Sequence, residues 1–319
     1  MSKLYSIGEL LIDFQSVGTG GLKETKEFVK NAGGAPANVC VQAVKLGQNA
    51  SYLTKVGNDG FGEFLIETLK NEGVDVSFIS KSDEYDTSLA FVSFREGGER
   101  EFSFYRKAAA DLHFTADDFK GVKFAAGDVL EFGSVALKTE QAKTTHKTLI
   151  ERAAEAGAII CFDPNLRFNL WESKDELKET VKEFAKYADV IKVGCDELEF
   201  LTGEPCERAV KTLLSGKLKI LAVTDGGKGA KLYLADGRQF RCDGYKVKTI
   251  DTTGAGDSFF GGVIARLMEE NLSASELING NTNYGDILDF ACKCGAFTTT
   301  GYGAIPAMGN KNQICKAVK

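Results

Sequence analysis

The sequence TIDTTGAGDSFFGG, at residues 249–262, is the most informative part of this 319-residue chain. A glycine-alanine-glycine turn at 254–256 leads into apolar residues at helical spacing, which predicts that a helix begins here. Thr253 is placed to cap this helix, and Asp257 falls in its first turn. Unpaired N–H groups and the positive end of the helix dipole make such a turn suitable for binding a phosphate. Asp257 would then take the proton of an attacking hydroxyl. The alternative is an ordinary turn between a strand and a helix, in which Asp257 only complements the helix dipole.

Short apolar segments alternate with amphipathic ones from residue 128 onward. The segments DVLEFG, AIICFD, DVIKVG and KILAVTD are typical of strands, with helices predicted near 139–157, 174–187 and 206–215. This rhythm predicts a parallel sheet that is covered by helices on both faces. Ligands bind at the carboxyl ends of such strands, where several polar residues fall: Asp163, Asn165, Glu197 and Asp225.

The N-terminal part of the chain has a different pattern. Residues 4–14 predict a strand followed by an extended segment, and the sequence at 33–38, GGAPAN, opens a helix that reaches about Leu46. A second helix is predicted over 62–72. Residues 88–106 alternate around the turn EGGE, which indicates a hairpin in a small separate sheet.

Composition excludes several classes of function. A formal net charge of −6 and a pI near 5.3 argue against nucleic acid or an anionic membrane as the partner. No apolar run approaches the length of a membrane span, and Glu9 and Asp13 interrupt the apolar N-terminus, so we expect no signal peptide and a cytoplasmic protein. The eight cysteines are scattered and only two histidines are present, so free thiols are expected rather than a zinc site.

The motif D-T-x-G-A-G-D at 251–257 and the string GGAPANV at 33–39 are similar to the two signatures of the ribokinase-like sugar kinases of the phosphofructokinase B type. The resemblance spans essentially the whole chain, from GELLIDF to GAIPA. It implies an α/β fold with a central, mostly parallel sheet flanked by helices on both faces and a small β-sheet lid. It also implies one domain over 1–319, with the lid built from about 12–31 and 86–107, and a homodimer.

The resemblance also implies roles for individual residues. Catalysis is assigned to Asp257 as base, to an anion hole formed by the backbone of Gly254, Ala255 and Gly256, and to Arg167 as a partner of a phosphate or of the reacting sugar oxygen. The implied sugar-binding residues are Asp13, Gly33, Gly34, Asn38, Phe102, Tyr105, Arg106, Asn165 and Asp257. The implied nucleotide-binding residues are Thr224, Gly226, Gly229, Gly254, Gly256, Cys292 and Gly303. Glu197 is implied to hold Mg²⁺ through water, and Asp251 and Thr253 to serve a monovalent cation such as K⁺.

Some of these roles have structural alternatives. Asp13 could sit at a strand end facing water, Arg167 could cap the following helix, and Phe102 could pack within the lid. The family's N-x-x-E element is present only in part, because Gly194 replaces the asparagine while Glu197 is kept. This departure bears on the Mg²⁺ site, although magnesium needs few protein ligands when nucleotide phosphates supply the rest.

Within the family, REFSFYRKAAADL and DPNLRFNLW are most similar to fructokinases. The expected reaction is therefore transfer of the γ-phosphoryl group of ATP to the 6-hydroxyl of D-fructose. The alternatives are a 2-keto-3-deoxygluconate kinase, which shares the Tyr-x-Arg lid, another sugar or nucleoside kinase, and a non-catalytic sugar-binding regulator. A dinucleotide-dependent dehydrogenase and a P-loop NTPase are excluded, because the sequence has neither an N-terminal G-x-G-x-x-G nor a Gly-Lys-Ser/Thr.

Overall fold

The computed structural model describes residues 2–94, 100–214, 216–278 and 281–319. The strands in these ranges are β1 Lys3–Ile7, β2 Leu11–Thr19, β3 Phe28–Gly33, β4 Asn49–Gly57, β5 Ile79–Ser82, β6 Ser88–Phe94, β7 Arg100–Tyr105, β8 Val129–Gly133, β9 Ile159–Asp163, β10 Val190–Gly194, β11 Ile220–Thr224, β12 Gly229–Leu234 and β13 Gln239–Asp243. The α-helices are α1 Ala35–Lys45, α2 Gly60–Asn71, α3 Glu140–Glu155, α4 Lys174–Ala185, α5 Cys195–Thr202, α6 Cys206–Leu213, α7 Ala255–Glu269, α8 Tyr284–Thr298 and α9 Lys311–Ala317.

The large sheet has the strand order β13-β12-β11-β10-β9-β8-β1-β4-β5. From β11 to β5 neighbouring strands are parallel, and β12 and β13 are added antiparallel at one edge. Because seven strands run in one direction, their carboxyl ends meet along one edge of the sheet. The α/β class and the mostly parallel sheet predicted from the sequence are confirmed.

Helices cover the large sheet on both faces. Successive residues of β10 point to opposite faces of the sheet. Val190 belongs to the apolar cluster under α1, α7 and α8, whereas Ile191 belongs to the apolar cluster under α3 to α6. Phe260 of α7 and Phe184 of α4 are fully buried in these two clusters. Side chains at the ends of the strands are thereby held between packed layers, which fixes their positions.

The small sheet has the order β3-β2-β6-β7 and stands apart from the large one. β6 and β7 are antiparallel, as the predicted hairpin requires, whereas β2 and β6 are parallel. The predicted turn of that hairpin, residues 96–99, lies outside the described residues. Side chains alternate between the two faces of this sheet, so that Asp13 and Phe14 point in opposite directions.

Some helix predictions need correction. Helix α5 was not predicted at all, because it is only eight residues long and follows β10 without a linker. It ends at Gly203, whose φ of 76° is left-handed. The other predicted helices begin or end one to two residues away from the predicted positions. All eight cysteines are free thiols, as expected, and no helix in the described part of the chain is long and apolar enough to cross a membrane.

Candidate active site

Helix α7 begins at a glycine rather than at the predicted threonine cap. Gly254 precedes the helix with φ 76°, and a Cβ atom there would lie 2.6 Å from the Cβ of Ala304. Thr253 does not cap the helix, because its amide and hydroxyl both donate to Oδ1 of Asp251, at 2.9 and 2.7 Å. Oδ2 of Asp251 accepts from the amide of Gly303 at 3.0 Å. The turn is therefore fixed by a buried carboxylate, and only glycine fits at its tightest point.

Asp257 lies in the first turn of α7 and faces a cavity of about 630 Å³. Its Oδ2 accepts from Nδ2 of Asn38 at 2.8 Å, so the N-terminal signature holds the carboxylate of the C-terminal one. Burial raises the pKa of Asp257, and Lys192, the Asn38 hydrogen bond and Arg167 act in the opposite direction. From the sequence alone, the helix N-terminus predicts that Asp257 is ionised at neutral pH; burial shifts its pKa in the other direction.

Lys192 is a site residue that the sequence analysis did not single out. It extends from β10 into the cavity wall and pairs with Asp163 at the end of β9, with Nζ 2.9 Å from Oδ2. Burial raises the pKa of Asp163 to about 6, and Lys192 opposes this rise. The available signal was a lysine inside the otherwise apolar strand segment DVIKVG, next to a strand that ends in aspartate.

The wall of the cavity also contains Asp13, from β2. A Cβ atom on Gly33 would lie 2.2 Å from Oδ2 of Asp13, and one on Gly34, where φ is 122°, would lie 2.3 Å from the backbone oxygen of Glu9. Both glycines are therefore required by close approach. Burial raises the pKa of Asp13 to about 6, against the lowering effect of Arg167. Asp13 faces the cavity and not bulk water, which answers the alternative left open by the sequence.

The segment after β9 contributes Asn165 and Arg167 to the cavity wall. Asn165 has a left-handed φ of 42°, and its amide donates to Oδ1 of Asp163 at 3.1 Å. Arg167 is exposed and makes no side-chain cap to the short helix that follows, but its charge lowers the pKa of both Asp13 and Asp257. One cation thus acts on both carboxylates of the cavity.

The lid residues divide between two faces of the small sheet. Phe102 and Phe104 line the cavity, whereas Tyr105 is 64% exposed and packs edge-on against Phe91. The prediction that Tyr105 and Arg106 point into the site is wrong for this structure. Side chains alternate along β7, so Tyr105 points to the face opposite that of Phe102 and Phe104. Arg106 turns inward and forms a buried ion pair with Asp111.

Glu197 occupies the first turn of α5. Its Oε1 accepts from the amide of Leu166 at 2.7 Å, and its Oε2 accepts from the amide of Gly194 at 2.8 Å. Each carboxylate oxygen keeps a further lone pair. In the described ranges no group of three or more histidine, cysteine, aspartate or glutamate residues is placed to hold a metal. These residues therefore fit an Mg²⁺ that is carried by phosphates and water, with few protein ligands.

The predicted nucleotide-binding residues are only partly brought to the cavity. Gly254 and Gly256 line it, whereas Thr224 ends β11 and Gly226 lies in the turn before β12. The other members are placed as follows: Gly229 lies against the backbone of Cys242, Cys292 is buried on α8, and Gly303 donates to Asp251. The roles of these residues stay predictions.

Comparison with known proteins gives four consistent matches. The model of the pfkB family carbohydrate kinases matches residues 1–310. Fructokinase-2 of Solanum lycopersicum is 39% identical over 321 residues, which covers 99% of this chain and 96% of that protein. A double-mutant fructokinase from Vibrio cholerae O395, solved with fructose, ADP and a potassium ion, has a TM-score of 0.88 at 33% identity and covers 100% and 99% of the two chains. A Xylella fastidiosa fructokinase with bound ATP has a TM-score of 0.87 at 29% identity, with 99% and 97% covered.

Proposed function

Because the chain belongs to the pfkB family of carbohydrate kinases, we propose that it is a fructokinase. It transfers the γ-phosphoryl group of ATP to the 6-hydroxyl of D-fructose. The observation that carries the proposal is the position of Asp257, which lies beside the glycine turn at 254–256 and faces a cavity that a second carboxylate, Asp13, also lines. Relatives named fructokinases, at 39% identity over nearly the full length, support fructose as the sugar.

The geometry suggests how the reaction proceeds. Asp257 accepts the proton of the sugar hydroxyl, whose oxygen bonds to the γ-phosphorus while the bond from that phosphorus to the bridging oxygen of ADP breaks. The amides of the 254–256 turn and the positive end of the α7 dipole stabilise the charge on the transferred group. Asp13 accepts hydrogen bonds from sugar hydroxyls, because a carboxylate can accept from two neighbouring hydroxyls at once. The small sheet acts as a lid that excludes water through Phe102 and Phe104.

Two cations complete the proposal. Glu197 would hold Mg²⁺ through water together with the nucleotide phosphates, and the ion would supply charge neutralisation there. Asp251 and Thr253 would serve a monovalent cation such as K⁺, and a relative solved with a potassium ion supports the presence of such an ion. Asp251 supports this role because it is a buried carboxylate that ties the 251–254 turn to Gly303.

A sugar acid fits this cavity less well than a neutral sugar. The sugar end holds the carboxylate of Asp13, and the buried Glu9 lies beside it. Arg106, the cation expected in the lid, is already paired with Asp111 at 2.8 Å. A carboxylate on the substrate would therefore not find the lid arginine free, and Arg167 is the cation that acts on Asp13. Together with the relatives named fructokinases, this favours fructose over 2-keto-3-deoxygluconate.

The test is an ATP-coupled turnover panel with the purified protein. D-Fructose, ribose, 2-keto-3-deoxygluconate, adenosine and fructose 6-phosphate are compared by kcat/KM, with Mg²⁺ and with or without K⁺. We expect the highest kcat/KM for fructose. A higher value for the sugar acid would overturn the choice of substrate, and no turnover of any member would overturn the kinase proposal for these substrates.

We further propose a cytoplasmic homodimer. The face of the small sheet opposite the cavity carries the contacting rings of Phe14, Phe28, Phe91 and Tyr105. An aromatic face of this kind is suited to pairing with a second copy, and eight free thiols suit a reducing compartment. Light scattering should give twice the monomer mass for the wild type, and a monomeric mass would exclude the dimer.

A further inference from the structure

Lys192 is a buried cation in the wall of the candidate active site. Its side chain is only 8% exposed, and its Nζ lies 2.9 and 3.2 Å from the two carboxylate oxygens of Asp163. Burying an ammonium group is costly unless a partner compensates for the lost water. The lysine comes from β10 and the aspartate from β9, and both strands are central in the sheet, so the ammonium is held at a fixed place.

That place is directly against the anion-binding turn. A Cβ atom on Gly256 would lie 3.1 Å from Nζ of Lys192 and 3.6 Å from its Cε, so a side chain at 256 would crowd the ammonium. Gly256 belongs to the first turn of α7, where backbone N–H groups have no partner within the helix. Lys192, Gly254, Gly256 and Asp257 line the same cavity. The ammonium therefore adds a full positive charge where the helix dipole supplies only a partial one.

The charges that act most on Lys192 are three carboxylates. They belong to Asp163, Glu197 and Asp257, and together they raise the pKa of Lys192 against the lowering effect of burial. The lysine is thus charged at neutral pH. Removal of Lys192 would leave these carboxylates with no buried cation between them.

We propose that Lys192 is the fixed positive charge of the anion hole, and that Asp163 is the residue that positions it. This inference rests on the proposed kinase function. During phosphoryl transfer, negative charge is spread over the oxygens of the moving group, and a preorganised cation beside them lowers the barrier without having to reorganise. Lys192 is paired with the carboxylate of Asp163 and lies close to the Gly256 turn, so its position does not depend on the nucleotide.

The test separates a role in the reaction from a role in folding. Lys192→Met alone leaves a buried carboxylate unpaired and is expected to be unstable. The main variant is therefore the double substitution Lys192→Met/Asp163→Asn, which removes both charges and keeps an acceptor for the Asn165 amide. The matched control is Lys217→Met/Asp189→Asn, which removes an ion pair of 3.2 Å from the other end of the same strand.

We expect the Lys192/Asp163 double variant to unfold near the wild-type temperature, with kcat lower by about 10²-fold or more and fructose KM changed by less than about threefold. Asp163→Asn alone keeps the lysine but removes the carboxylate that positions it, so its kcat should lie between those of the wild type and the double variant. The Lys217/Asp189 control should match the wild type in kcat. A double variant with kcat within about tenfold of the wild type would overturn the proposal for Lys192. An Asp163→Asn variant with the wild-type kcat would overturn the positioning role of Asp163.

A binding measurement covers the case in which the double variant does not fold well enough for kinetics. Lys192→Arg keeps the charge but places a larger group against Gly256, and calorimetry compares its affinity for ADP with that for a non-hydrolysable ATP analogue. Displacement of the charge should reduce the preference for the analogue by at least about tenfold, which is about 1.4 kcal/mol. An unchanged preference would argue against Lys192. Wild-type turnover of fructose in the same preparation shows whether the kinase proposal itself stands.

Discussion

Arg106 gives the sharpest contrast between a sugar ligand and a structural cation. Its Nε and Nη2 donate to Oδ2 of Asp111 at 3.1 and 2.8 Å, and its Nη1 donates to the backbone oxygen of Val135 at 2.9 Å. Ser88 of β6 accepts from Nε and donates to Oδ1 of Asp111. The two charged side chains are 4% and 1% exposed. Arg106 therefore ties the base of the lid hairpin to the body of the protein.

The perturbation is Arg106→Met, which keeps much of the volume and removes the charge. Loss of one partner of a buried ion pair costs about 3–5 kcal/mol, because the other charge is left uncompensated. At roughly 2–4 °C for each kcal/mol in a large domain, the unfolding temperature should fall by about 10 °C. The double substitution Arg106→Met/Asp111→Leu removes both charges, and we expect it to recover most of that loss.

Thermal unfolding and initial rates are measured on the same preparations. If Arg106 is structural, Arg106→Met lowers the unfolding temperature, and the double variant restores both stability and fructose KM towards the wild-type values. The reasoning would be refuted if Arg106→Met unfolded at the wild-type temperature while fructose KM rose about tenfold and ATP KM stayed constant. Arg106 would then be a sugar ligand, as its sequence position alone suggested.

Three further predictions concern the cavity. Asp257→Asn should lower kcat about 10²–10⁴-fold with little change in ATP KM, and a variant that keeps more than about a tenth of kcat would contradict the role of base. Fructose KM should rise as the pH falls through about 6, because burial raises the pKa of Asp13 to about 6 and the protonated carboxyl group has lost its negative charge. Asp13→Asn should abolish this pH dependence. If the variant kept the pH dependence, another group would be responsible for it. Gly254→Ala should lower kcat, because the new Cβ atom would lie 2.6 Å from the Cβ atom of Ala304. The control is Gly203→Ala, since Gly203 has the same φ of 76° but no neighbouring atom within 4 Å of a built Cβ. Equal losses of activity in the two variants would show that backbone strain alone is responsible.

The sequence was most informative where geometry is set locally. The glycine turn at 254–256 and Asp257 lie within four residues, and a helix start has the same chemistry in any fold. The link between Asn38 and Asp257 spans 219 positions in the chain and could not be derived from spacing. It entered only through the resemblance, which had already assigned both residues to one site.

The sequence was least informative for side chains whose direction depends on packing between elements. Arg106 follows the last residue of β7, where the chain leaves the sheet, so alternation no longer determines its direction. The Lys192–Asp163 pair is different, because β10 pairs with β9 through Val190 opposite Cys161. That register brings position 192 opposite 163. Two charged residues in register at the ends of neighbouring parallel strands are a signal that could have been found by aligning the strand segments.

Gly194, which replaces the asparagine of the family pattern, allows the carboxylate of Glu197 to lie close to the backbone at position 194. A Cβ atom on Gly194 would lie 3.1 Å from Oε2 of Glu197, and this oxygen accepts the Gly194 amide at 2.8 Å. The carboxylate thus folds back over the glycine and caps the start of α5, while its other oxygen holds the amide of Leu166. An asparagine at 194 would have to displace that carboxylate or move it by a few tenths of an ångström. Because both carboxylate oxygens already accept backbone amides, the proposed Mg²⁺ role of Glu197 would rest on its remaining lone pairs and on water, and the nucleotide phosphates would supply most of the direct ligands.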